Sequence, residues 1–324
     1  MSLFPKHLKT VYSRFLPALY TALALYLTFL LLRFPALSLQ YALTGLTLWF
    51  QKMVPVLLPF MILSGIMLNM HLTENFANLL HPLLHALFGT SKNGSYVMIM
   101  GFLCGFPMGA KIAGELRKTG RLSGQEGARL LSFCNNIGPI YFLSYVIPTL
   151  KIEKPFIPFL IMYGVPLLYG LFLFRMPVFA RRLPTSVSES FPQKQDKTSQ
   201  ASAAMPLLSA VDSTILSGLI SIAKLGGYMV FFNLLNILFV PFSRLPSFLP
   251  RFYNCILEIT SGIDRCGHFH PYLVLIMLPF GGFSCIAQTY SMIRDTDFTI
   301  GSYLFHKLAQ TGLTALCYLF LRPF

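Results

Sequence analysis

A chain of 324 residues that is 55% hydrophobic and only 11% charged stands far from a soluble domain, in which about 25% of residues are charged. That balance excludes a soluble globular protein and reads as a polytopic membrane protein. The net charge of +14 does not indicate a nucleic-acid partner, because no basic run is interleaved with a soluble fold; basic cytoplasmic loops and anionic membrane lipid account for it.

In chain order, Lys6, Lys9 and Arg14 precede an apolar run from Phe15 to Leu32 that Arg33 closes. It reads as a retained first helix with its amino end in the cytoplasm, a cleaved signal being the alternative. Residues 34–51 mix apolar and polar side chains and suit the interface. Met53 to Met70 is a second span, kinked by Pro55 and Pro59. Residues 71–92 are more polar. His81 and His85 in it have a metal-like spacing, but Pro82 lies between them and no third ligand is near, so they read as interfacial. Tyr96 to Gly105 is an apolar arm of about ten residues, ~15 Å as helix, or half of a ~30 Å hydrocarbon core. After Gly105-Phe-Pro-Met-Gly109 a helical pattern resumes and ends in Arg117 and Lys118. An arm in, a break and an arm out describe a re-entrant hairpin or a discontinuous helix. The four-residue spacing of Gly101, Gly105 and Gly109 also fits a close-packing face on a merely kinked span.

Ala128 to Ile147 is a further span with Asn135, Asn136, Gly138 and Pro139 inside it, and Phe156 to Phe174 is another. Residues 175–204 turn hydrophilic, with Arg181, Arg182, Lys194 and Lys197, and form the one linker, expected on the cytoplasmic side. Leu225 to Val240 is a span, and 244–270 is polar and partly amphipathic, with His268 and His270 as loop residues. Tyr272 to Phe280 is a short arm that halts at Gly281-Gly282-Phe283-Ser284, and Cys285 to Ile293 continues beyond it; Ser302 to Leu321 closes the chain. The six cysteines carry no CxxC pair and read as small buried hydrophobes.

The order span, amphipathic stretch, broken hairpin, span occurs twice. The fold class is therefore an all-α polytopic membrane protein with two inverted-topology repeats, each containing a broken re-entrant hairpin, plus additional transmembrane helices. The divisions are a first helix at 1–34, a first repeat at 35–150, a connecting helix at 151–175, a basic loop at 176–208 and a second repeat at 209–324. Counting spans from a cytoplasmic amino end inverts the second repeat. It places Arg117 and Lys118 inside, Arg265 and Arg294 outside, and Arg322 inside.

Broken helices that meet near mid-membrane are how many secondary transporters build a site. A helix that begins inside the membrane presents unpaired amides and the positive end of its dipole, which attract an anion. Met108, preceded by Pro107, starts one such helix and Ser284 the other. Lys111 adds a full charge, and an intramembrane lysine is a functional candidate. Gln288 takes the corresponding place in the second arm, while Asn135, Asn136 and Gln310 are further polar groups. Gly105, Pro107, Gly109, Lys111, Asn135, Asn136, Gly282, Ser284 and Gln288 make up the candidate substrate site. Lys111 paired with Glu115, and the asparagines as interhelical glue, remain the structural alternatives. No carboxylate other than Glu115 sits clearly in a span, which favours an anionic ligand. An enzyme is not expected: Ala110 stands where a phosphate loop needs its second glycine, and no Ser or Thr follows Lys111. No metal or cofactor is expected either.

The run GFPMGAKIAGELRKTGRLSGQEGARLLSFCNNIGPIYF at 105–142, with Phe280 to Gln288, resembles the nucleoside-recognition or Gate domain family, and more narrowly the YlbJ or SpoVV group of sporulation membrane proteins. That resemblance implies a transporter-like protein of the cell membrane or outer forespore membrane of a spore former. In the narrower group it implies movement of dipicolinic acid, and elsewhere nucleosides. A non-transporting scaffold or gate subunit, working as a homo-oligomer or with a sporulation membrane partner, is the other class of function it leaves open.

Overall fold

The computed structural model describes residues 6–175, 207–242, 248–267 and 269–321. Most of the basic linker, with Arg181, Arg182, Lys194 and Lys197, lies outside these residues, as do Arg244, His268 and Arg322. Every regular element described is helical. Six segments are long and apolar enough to cross a membrane: Leu16–Arg33, Pro35–Asn69, Gly124–Thr149, Phe156–Arg175, Leu207–Pro241 and Pro271–Ile293. Only 6% of the first is buried against protein, whereas 78% of Gly124–Thr149 and 67% of Pro271–Ile293 are. The first is therefore peripheral, and the last two form the centre.

Between these spans the chain reverses twice. Lys92–Cys104 and Met108–Lys118 lie side by side as the arms of a first hairpin. A Cβ added at Gly109 would come 3.3 Å from the Gly101 Cα, so the regularly spaced glycines serve arm-to-arm packing and the break together. Ser91 caps the entering arm, its hydroxyl accepting from the Gly94 amide at 3.0 Å. The outer ends of the arms sit together: Asn93 Nδ2 donates to the Arg121 carbonyl at 3.2 Å, and the Ser91 amide donates to Glu126 Oε1 at 2.7 Å. Phe248–Leu257 and Ile259–Cys266 form a second hairpin, in which a Cβ on Gly262 would lie 2.7 Å from the Cys255 Cα. Within the stretch 244–270, expected to be polar and amphipathic, residues 248–266 thus form a reversal whose returning arm is buried, and the polar residues at its turn are what made it look solvent-facing.

Each hairpin is followed by an interrupted helix. The span expected at 128–147 breaks between Cys134 and Pro139, and its second half runs Pro139–Thr149 through a π turn at Phe142–Val146. The second interrupted helix is Pro271–Met277 and Gly282–Ile293. This pair, expected to be a re-entrant hairpin, is instead one interrupted helix that runs straight through. Its far end meets the outer end of the first hairpin, where Arg117 grips Asp297 with two contacts of 2.8 Å and Lys118 Nζ lies 3.1 Å from Asp295. Its near end lies elsewhere, with Tyr272 stacked edgewise on Tyr318 at 6.0 Å. Arg294, 3.5 Å from Asp295, therefore shares an end with Arg117 and Lys118 instead of opposing them. The Lys118 ammonium beside Asp295 holds its carboxyl below the usual carboxylate range.

The two interrupted helices run in opposite directions. Gly124 starts the first at the Asp297 end, where a Cβ would lie 2.4 Å from Asp297 Oδ2, whereas Ile293 finishes the second there. The second hairpin opens at the other end, where a Cβ on Gly267 would meet Leu150 and Arg265 stacks on Tyr41 at 4.7 Å. The Arg117–Asp297 pair is bidentate and only 22% and 17% exposed, above the ordinary worth of a surface ion pair. Arg117→Met is expected to cost about 1–2 kcal/mol in detergent thermal unfolding. The Asp297→Asn double variant should be less than additive.

Candidate functional site

The centre is built where each hairpin turn meets the interruption of a neighbouring helix. Gly105 has φ +83°, and a Cβ there would sit 2.3 Å from the Gly138 amide nitrogen and 3.0 Å from the Asn136 carbonyl. The first turn, Gly105-Phe106-Pro107, is therefore seated against the Asn135–Gly138 break. Gly282, at φ +78°, meets the second turn in the same way, its Cβ position 3.2 Å from the Cys255 and Ile256 carbonyls and the Ile259 nitrogen.

An interrupted helix frees carbonyls at one half-helix end and amides at the other. Side chains occupy these ends. Asn136 Nδ2 donates to the Phe133 carbonyl, and its Oδ1 accepts from Lys307 Nζ at 2.6 Å. Lys307 is fully buried, with its ammonium over the Phe106 ring at 4.9 Å and the Tyr303 ring at 5.7 Å. Asn135 Nδ2 donates to Thr289 Oγ1 and Tyr303 Oη, both at 3.0 Å, which ties the first break to the second interrupted helix and to Ile300–Leu321.

At the second turn Glu258 is buried. Its Oε1 accepts from the Thr260 amide at 3.1 Å, and its Oε2 from the Ser261 amide at 2.7 Å and from Asn233 Nδ2 at 3.4 Å. It caps the returning arm. Among the described residues no cation forms an ion pair with it.

Glu258, Thr260, Gln288, Tyr141, Phe106 and Cys285 line a small cavity of about 40 Å³ with apolar walls from Leu57, Ile137 and Met229. Gln288 Nε2 donates to Ser284 Oγ at 3.0 Å, and both residues are buried. Tyr141 packs against Tyr145, the rings tilted by 47° with centroids 5.0 Å apart. Tyr145 in turn lines an open cleft of about 850 Å³ with Gln51, Lys52 and Asp264, so the two tyrosines stand between the cleft and the cavity.

Of the residues singled out in the sequence, Gln288 lines the cavity, Ser284 holds it, and Gly105, Pro107 and Gly282 shape the two turns around it. Gly109 lets the first hairpin approach Cys134 and Asn135. Asn135 and Asn136 sit just behind, bonded to other elements. Lys111 is not among the lining residues. It is 7% exposed, and its ammonium has no hydrogen bond and no ion pair within 4 Å among the described residues, Glu115 included. The sequence reading missed Glu258 and Lys307. Lys307 was legible as a lysine in an apolar helix, but Glu258 was hidden in a stretch that resembled surface. His81 and His85 bond to Ser95 and to the Thr90 carbonyl, both at 2.9 Å.

No protein-family model matches the chain, and no solved structure does. The sporulation integral membrane protein YlbJ of Bacillus subtilis (strain 168) is 25% identical over 320 aligned positions, spanning 88% of this chain and 78% of that protein. Likeness over that share of both chains, joined to six apolar helices, makes this a multi-pass membrane protein similar to YlbJ.

Proposed function

We propose that the protein is a transporter that carries a small organic solute past a mid-membrane site, and that its two halves are inverted-topology repeats. Each repeat is a re-entrant hairpin (92–118 and 248–266), an interrupted helix (124–149 and 271–293) and a closing helix (156–175 and 300–321). The register differs from the one the glycine motifs suggested: the first hairpin corresponds to 248–266, and the interruption at Gly281–Gly282 to that at Asn135–Gly138. The observation that carries the reading is the small, mostly apolar cavity between the two turns, with Glu258 and Gln288 in its wall. Irregular backbone at membrane depth is tolerated where it is buried in protein or lines a cavity.

The site bears on the solute's chemistry. The sequence argument for an anion rested on an absence of carboxylates, and Glu258 removes that ground. The positive group beside the site is Lys307, behind Phe106, in place of Lys111. The ammonium behind Phe106 suits a small organic anion, whereas the carboxylate and the amide at the cavity suit a solute that offers hydrogen-bond donors. Dipicolinate, the ligand implied by the resemblance, satisfies the first requirement, and a nucleoside satisfies the second through Glu258.

Proteoliposome uptake of labelled dipicolinate, set beside uridine and adenosine, separates these solutes. Wild-type vesicles that move none of them, with a protein partner co-purifying, would point to the scaffold reading. Tyr145→Ala is expected to lower stability but, in the protein that folds, to raise solute exchange through the cleft several-fold, read as efflux from preloaded vesicles, because it removes one of two packed rings between the cleft and the cavity.

A further inference from the structure

We propose that Lys307 is a tethered coupling cation, so that transport is linked to protons and is independent of sodium. The inference rests on the transport reading and names its coupling ion.

A free metal cation in a helical transporter is held by unwound backbone carbonyls and half-helix carboxyl ends. Lys307 reaches such a place. Gly124–Cys134 ends beside it, Asn136 Oδ1 accepts from its Nζ at 2.6 Å, and the Phe106 and Tyr303 rings face the ammonium. No carboxylate pairs with it among the described residues. Its titratable neighbours are Cys134 on the first interrupted helix, Cys285 on the second, and Tyr303 and His306 on its own helix, His306 being bonded to Tyr169 at 2.6 Å. The first hairpin offers it only the Phe106 ring. An ammonium fixed by one neutral oxygen and two rings can give up its charge without stranding a counter-ion. When the Nζ–H bond breaks, the electron pair stays on nitrogen and the proton passes to water. The attraction for Phe106 is then lost, and the first turn is released from the Asn136 break. One proton accompanies each cycle.

The test uses the full chain in vesicles and in detergent. In vesicles, wild-type accumulation of dipicolinate or uridine should follow an imposed pH gradient and be equal in sodium and choline. Lys307→Arg and Lys307→Gln should lose pH-driven accumulation about tenfold or more, whereas Lys111→Ala, outside the cavity lining, should keep it. In detergent, Lys307→Ala should unfold at lower temperature and recover with sodium or methylammonium but not choline, whereas wild type should respond to none of them. Sodium-dependent wild-type uptake or unfolding, pH-driven accumulation that survives in Lys307→Gln, or a Lys307→Ala protein indifferent to every cation would each overturn the proposal. If Lys307→Ala does not fold, the wild-type sodium arm and Lys307→Gln decide the question. Wild-type vesicles that move nothing, with cation rescue intact, would sink the transport reading and leave the tethered cation standing.

Discussion

Gly105→Ala is expected to yield almost no folded protein. The residue's φ of +83° is glycine territory, and a side chain held there costs about 1–3 kcal/mol. The new Cβ would also sit 2.3 Å from the Gly138 nitrogen, a backbone atom that cannot turn aside. The turn would have to leave the Asn136–Gly138 break, stripping Phe106 from Lys307 and opening the cavity. Against a total stability of about 5–15 kcal/mol, the loss should appear as a collapsed monodisperse peak in detergent size exclusion. Gly227→Ala supplies the control: that glycine lies within a helix with nothing within 4 Å of its added Cβ. There alanine should be neutral or stabilise by about 0.5–1 kcal/mol. Equal yields of the two variants would mean that the turn is not seated as described.

The second large effect is expected at Glu258. Glu258→Ala removes the acceptor of two buried amides and should cost about 1–2 kcal/mol of stability along with uptake. Glu258→Gln separates the two roles, because one amide oxygen still accepts while the charge is gone. Its unfolding midpoint should fall less than that of Glu258→Ala, since one buried amide keeps its acceptor and the other faces the new NH2, while uptake of a solute that donates to the carboxylate falls about 10- to 100-fold, as expected for a charged hydrogen bond worth about 1.5–3 kcal/mol. Unchanged uptake by Glu258→Gln, with protein abundance equal, would confine the residue to capping. Lys111, expected from sequence to be the decisive charge, serves as the comparison. Because it lies outside the cavity lining, Lys111→Ala should affect uptake less than Glu258→Gln.

The class of the protein and the positions of its breaks were legible because composition and helix-breaking residues act locally. Gly105, Pro107, Asn135 to Pro139 and Gly281–Gly282 all mark real interruptions. What sequence could not supply was the path of the chain after each break. Gly105-Phe-Pro and Pro279-Phe-Gly-Gly look alike, yet the first reverses the chain and the second lets it continue; what distinguishes them is which arms pack together, a long-range matter. Glu258 was unreadable for a related reason. A carboxylate among Asn254, Thr260 and Ser261 reads as surface until the fold buries it, with the amides of its own returning arm as the compensation.

The ion pairs at the outer end of the first hairpin carry a consequence for the rate of opening. Swinging that hairpin away from the second interrupted helix means parting Arg117 from Asp297 and Lys118 from Asp295. The second hairpin's outer end is held by Arg265 against the Tyr41 ring and by a hydrogen bond from its guanidinium to the uncharged Thr44 hydroxyl. Dissolved salt screens the first set of contacts, with a Debye length of about 8 Å at physiological strength, and hardly touches the second. The two faces of the molecule thus have latches of different kinds, and ionic strength should act as a one-sided throttle. Raising it would hasten opening on the Asp297 side, where the surrounding ions become part of the timing.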